Sequence, residues 1–137
     1  MHRDLDRTGL ANLLLRAGLA FAFLYPPINA ILHPESWLGY FPPFVRAAAH
    51  AGGIHDLVLL HSFGVVEVVI ALWILSGWKI FLPSAAAATL LLAIVFFDFA
   101  NFEVVFRDVS IAAIAIALAI QNRHEVFKKR LAPKHAI

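Results

Sequence analysis

The polar and apolar positions fall into four long apolar runs separated by short polar breaks. The runs extend from about Gly9 to Leu32, Asp56 to Leu75, Ile80 to Ala100 and Val104 to Gln121. Each approaches the roughly 20 residues that one helix needs to cross a hydrocarbon core about 30 Å thick. The break Ser76-Gly77-Trp78-Lys79 reads as a tight turn with an interfacial Trp and a snorkelling Lys. Only Asn101 to Glu103 separate the third run from the fourth, so those two helices are expected to form a hairpin of packed neighbours. The pattern predicts an all-α polytopic membrane protein, a four-transmembrane-helix antiparallel bundle in one domain, followed by a basic tail over 122–137.

The interruptions carry further information. Pro26 and Pro27 lie inside the first run, where each ring removes a donor and crowds the carbonyl four residues back, at Ala22 and Phe23. A kink is expected there, with freed carbonyls that must find partners in the protein. Pro83 falls in the first turn of the third helix, where it is tolerated. Ala85 to Ala88 and the helically spaced Ala112, Ala115 and Ala119 suit close backbone approach. The one long loop, His33 to His55, holds Trp37, Tyr40, Phe41 and Phe44 with Pro42 and Pro43, an interfacial segment placed to act as a lid or an anchor.

Composition agrees with this reading and narrows it. Hydrophobic residues make up 61% of 137 and the mean hydropathy is +0.80, more than a soluble core absorbs. Four crossings leave too little chain for a separate catalytic domain. The absence of cysteine excludes thiol-disulfide relays, thiolate metal sites and iron-sulfur clusters. Ile28-Asn29-Ala30 makes a poor signal-peptide cleavage site, which leaves the first run as a helix. Arg3, Arg7, Lys79 and the tail residues Arg123, Lys128, Lys129, Arg130 and Lys134 fall on one side, and Arg46 and Arg107 on the other. The positive-inside rule then puts both termini in the cytoplasm, in a prokaryotic inner membrane, and the long loop outside. The tail suits anionic lipid headgroups rather than nucleic acid.

Ionisable residues at bilayer depth usually face one another, because each costs about 2.5 to 3.5 kcal/mol to insert. At 1.5 Å per residue, Arg16 lies roughly 9 Å from the inner end of the first helix and Glu67 roughly 12 Å from that of the second. A buried Arg16–Glu67 ion pair is the expected solution. Nearer the outer side gather Asn29, His61, Asp98, Asn101, Arg107 and Asp108. They read either as a closed polar hairpin junction or as a pocket for the head of an amphipathic ligand such as a quinone. No second histidine matches His61 in depth on another helix, so neither a bis-His haem nor a metal site is expected.

Several of these residues also stand in familiar order. Arg16-Ala-Gly-Leu-Ala-Phe-Ala-Phe-Leu-Tyr25, His33-Pro-Glu-Ser-Trp-Leu-Gly-Tyr-Phe-Pro42, Phe63-Gly-Val-Val-Glu67, Leu75-Ser-Gly77 and Phe106-Arg-Asp108 together resemble the DoxX-like family of small membrane proteins, over about Leu13 to Gln121. The resemblance implies a four-helix bundle in which Arg16 and Glu67 match the family's buried pair. It departs at Pro26-Pro27-Ile28-Asn29, where the family often carries a Lys. The family name comes from a subunit like those of a thiosulfate:quinone oxidoreductase, and other members resemble accessory proteins. The expected function is therefore a noncatalytic accessory or anchoring subunit with a protein partner or as a homo-oligomer. The alternatives are a quinone-interacting oxidoreductase subunit, then a small proton or solute carrier.

Overall fold

Two long apolar helices set the frame. The computed structural model describes residues 2–123, and the basic tail beyond Arg123, with its expected lipid contacts, lies outside the described residues. Helix α1 spans His2–Leu32 and α4 spans Asp56–Ser76. The loop between them folds into α2 (Pro34–Leu38) and α3 (Pro43–Ala51). Helix α5 (Phe81–Phe97), a 3-10 turn (Phe99–Asn101) and α6 (Phe102–Gln121) complete the described chain, which contains no strand.

Helix α1 begins before the apolar run because His2 to Thr8 contain neither Gly nor Pro to stop it. It also continues through Pro26 and Pro27 to Leu32. Helix α5 stops at Phe97, short of Ala100. Asp98 leaves helical geometry (φ −114°, ψ 31°), and its Oδ1 accepts a 2.6 Å hydrogen bond from Asn101 Nδ2. Local side-chain bonding of this kind competes with helix continuation. Helix α4 ends on Gly77, whose φ of 76° is the left-handed conformation that caps helices.

The core is a thin seam of small and medium side chains. Leu19, Ala20 and Phe23 of α1 meet Ile70, Ala71 and Ile74 of α4, Ala87, Ala88 and Leu91 of α5, and Ala112, Ala115 and Leu118 of α6. Each set recurs at three- or four-residue spacing, one stripe per helix. Alanines in that seam let α5 and α6 pack more extensively than any other pair. The larger side chains face outward: Phe21, Ile28, Ile31, Val65, Leu72, Phe96 and Ile120 are all exposed. A monomeric soluble protein rarely exposes so large an apolar surface, whereas lipid tails solvate it at no cost.

Two described helices are long and apolar enough to cross a membrane, Asp6–Leu32 within α1 and all of α4. Phe81–Phe97 with Phe99–Gln121 passes the same test as a pair bent by 87° at the break, which gives up to three crossings by length and composition. Among the described residues the protein is all-helical, with two or three candidate membrane spans.

Candidate functional site

Two contacts fix the register of α1 on α4. Arg16 donates from Nε to the Ile74 carbonyl (2.9 Å) and from an Nη to the Leu75 carbonyl (2.7 Å). A Cβ at Gly64 would lie 3.0 Å from Pro27 Cβ, so the proline ring packs directly on that glycine. Pro27 lies eleven residues past Arg16, and Gly64 eleven before Leu75, as expected for antiparallel helices of equal rise. Glu67 is then level with Leu24 and about 12 Å along the axis from Arg16.

This overturns the expected Arg16–Glu67 ion pair. No such pair exists among the described residues, and the guanidinium instead caps the end of α4. That end offers carbonyls without intrahelical donors and the negative pole of the helix dipole. The sequence estimate fails because α1 starts seven residues before Gly9, so Arg16 faces the terminus of α4 rather than its middle.

Glu67 lines a cavity of about 590 Å³ between α1, α4, α5 and α6, beneath the long loop. Phe23, Phe63, Leu91, Ile94 and Val105 give it mainly apolar walls, and Trp37, Tyr40 and Phe41 of the loop line its loop side. Phe41 packs edge-on against Phe63, ring centroids 5.7 Å apart. Trp37 Nε1 donates to Asn29 Oδ1 at 2.9 Å, which ties α2 to α1. At the far end of the loop Asp56 accepts from an Arg46 Nη at 2.6 Å and sits 2.7 Å from His50 Nε2. The hydrogen bond from Arg46 to Asp56 and the attraction between their charges raise the Arg46 pKa above its ordinary value. The aromatic segment is thus a clamped cover.

Of the six residues expected in an outer polar layer, Asp98, Arg107 and Asp108 line this cavity. Asn101 is exposed and bonds to Asp98 from outside the lining, and Asn29 is held by Trp37. His61 is exposed on a separate groove with Pro27, Ile31 and Val65. The single converging layer is therefore corrected to two regions, because His61 and Glu67 lie six residues apart on α4 and face different sides. Glu67 is the wall residue that the ion-pair expectation had assigned elsewhere.

No family model, curated protein or solved structure matches this chain. What the site can do rests on its own chemistry. Asp98 is 8% exposed, and its Oδ2 is buried without a hydrogen-bond partner among the described residues. Glu67 makes no hydrogen bond or ion pair among those residues either, and Asp108 has only the attraction of the adjacent Arg107 to offset burial. Unsatisfied polar groups in an apolar setting are costly, which makes them a default pointer to function.

Proposed function

We propose that the chain is a membrane-embedded binding subunit that holds an amphipathic small molecule between its helices. The observation that carries this reading is the cavity itself. At about 590 Å³ it falls in the range of small-molecule sites, and its apolar walls meet a few carboxylates under an aromatic cover. The motif order that resembles the DoxX-like family supports the same assignment, including a link to a quinone-dependent oxidoreductase whose redox centre lies on another subunit.

The arrangement belongs with four antiparallel crossings, both termini cytoplasmic and the covered end of the cavity outside. Three contacts support it. Arg16 meets the end of α4, Phe97 at the end of α5 meets Phe44 of α3 (centroids 5.5 Å), and Gln121 Oε1 at the end of α6 accepts from Asn12 Nδ2 of α1 (3.4 Å).

The test is thermal unfolding of the purified protein in detergent, with and without amphipathic small molecules, a long-chain amine and a short-chain quinone among them. A ligand that binds only the folded state must raise Tm by mass action. A rise that vanishes in Phe63→Ala, which strips the wall beneath the cover, is the expected result. No rise with any amphipathic compound favours a purely anchoring subunit.

A further inference from the structure

The polar surface of the cavity is unbalanced, and the imbalance specifies the ligand's charge. Glu67, Asp98 and Asp108 stand on the wall against a single guanidinium, Arg107, which is exposed and adjacent to Asp108. Further acceptors lie at the same depth. Pro26 and Pro27 deprive the carbonyls of Ala22 and Phe23 of their donors four residues on, and both residues line the cavity level with Glu67. Of the loop's indole and amide groups, the Trp37 donor is already committed to Asn29. The other side-chain donors on the wall are the Tyr25 and Tyr40 hydroxyls, and one acceptor, Asp98 Oδ2, is buried with no partner among the described residues.

We propose that the cavity takes a lipophilic monocation, an amine on a hydrophobic body, whose ammonium group sits among Glu67, Asp98 and Asp108. This rests on the reading of the cavity as a binding site and names the ligand's class. An ammonium brings up to three donors and one positive charge, which a buried carboxylate rewards more than any neutral donor. The aromatic faces of Trp37, Phe41 and Phe63 add attraction for a cation. A quinone carries only carbonyl acceptors at its polar end and would leave Asp98 Oδ2 unsatisfied.

The experiment holds the tail constant and varies the head. Thermal unfolding of the full chain in nonionic detergent is followed with dodecylamine, dodecanol, dodecanoate and decyl-ubiquinone at matched concentrations. Dodecylamine should raise Tm by roughly 3 °C or more, dodecanol by less, and dodecanoate not at all. The amine shift should fall by at least half in Glu67→Gln and in Asp98→Asn, and persist in His61→Ala on the outer groove. Glu67→Gln decides the matter should Asp98→Asn fail to fold. Equal shifts from amine and alcohol overturn the charge assignment, as does an amine shift that survives both carboxylate variants. A shift with the quinone alone also overturns it while leaving the cavity a binding site, whereas no shift from any compound removes the binding reading itself.

Discussion

Arg16 spends its charge on backbone rather than on a carboxylate, and that choice can be measured. Hydrogen bonds made by a charged group contribute about 1.5–3 kcal/mol, so Arg16→Ala should lower stability by about 2 kcal/mol, read as a fall in Tm or in the midpoint of a detergent-unfolding titration. Arg16→Lys should recover part of this, since an ammonium reaches only one carbonyl at a time. Exchanging the two charges, Arg16→Glu with Glu67→Arg, should give no recovery, because the residues do not meet. Rescue by the exchange would restore the ion pair. Gly77→Ala belongs to the same cap: its Cβ would lie 2.9 Å from an Arg16 Nη at a φ of 76°, so a loss above 1 kcal/mol is expected. That Arg16 and Glu67 lie within apolar helices was legible in the sequence, but their relative depth and their partners were not. Hydropathy reports where charges lie along a helix and is blind to carbonyls that become free only where another helix ends.

At the scale of elements, close approach of α1 and α4 depends on a ring meeting a glycine. Gly64→Leu drives a branched side chain into Pro27 and should force the helices apart, with a marked loss of folded protein on size-exclusion chromatography. Gly18→Ala meets nothing within 4 Å and should be neutral or slightly stabilising, which makes it the control. The cover depends on weaker ties. Arg46 and Asp56 are partly exposed, and surface pairs of this kind add little to global stability. Asp56→Ala should therefore leave global Tm nearly unchanged while raising amide hydrogen exchange over 37–46. Unchanged exchange there would mean that the aromatic packing of Phe41 on Phe63 holds the cover alone. Helix positions were read from the sequence within a few residues at α4 and α6, where a glycine or a polar step coincides with the helix end. They were missed at α1, whose first turns are polar, and at the end of α5, where an Asp side chain rather than hydropathy stops the helix. A pocket was one of two readings of the outer polar residues, but its apolar walls and the place of Glu67 among them were not legible, since they depend on how the helices pack.

The whole molecule raises one question of count, since α5 and α6 pass as one bent crossing while the proposed bundle uses them as two. Length permits either: at 1.5 Å per residue the 17 residues of α5 reach about 25 Å and the 20 of α6 about 30 Å. Charge discriminates. With four crossings Lys79 and Arg123 share a side with Arg3 and Arg7, and only Arg46 and Arg107 oppose them. With three, the whole basic tail moves to the side of Arg46, and the bias that orients inner-membrane proteins reverses. The contact of Gln121 with Asn12 also brings the end of α6 back to the first half of α1. Because the chain has no cysteine, single cysteines can be introduced at Ser36, Ser76, Asn101 and Asn122 and challenged with an impermeant thiol reagent in intact cells. Four crossings require labelling at Ser36 and Asn101 and protection at Ser76 and Asn122 until the membrane is opened. Asn122 labelling alike with Ser36 and opposite to Ser76, whichever of them is outside, would instead make α5 and α6 one broken span.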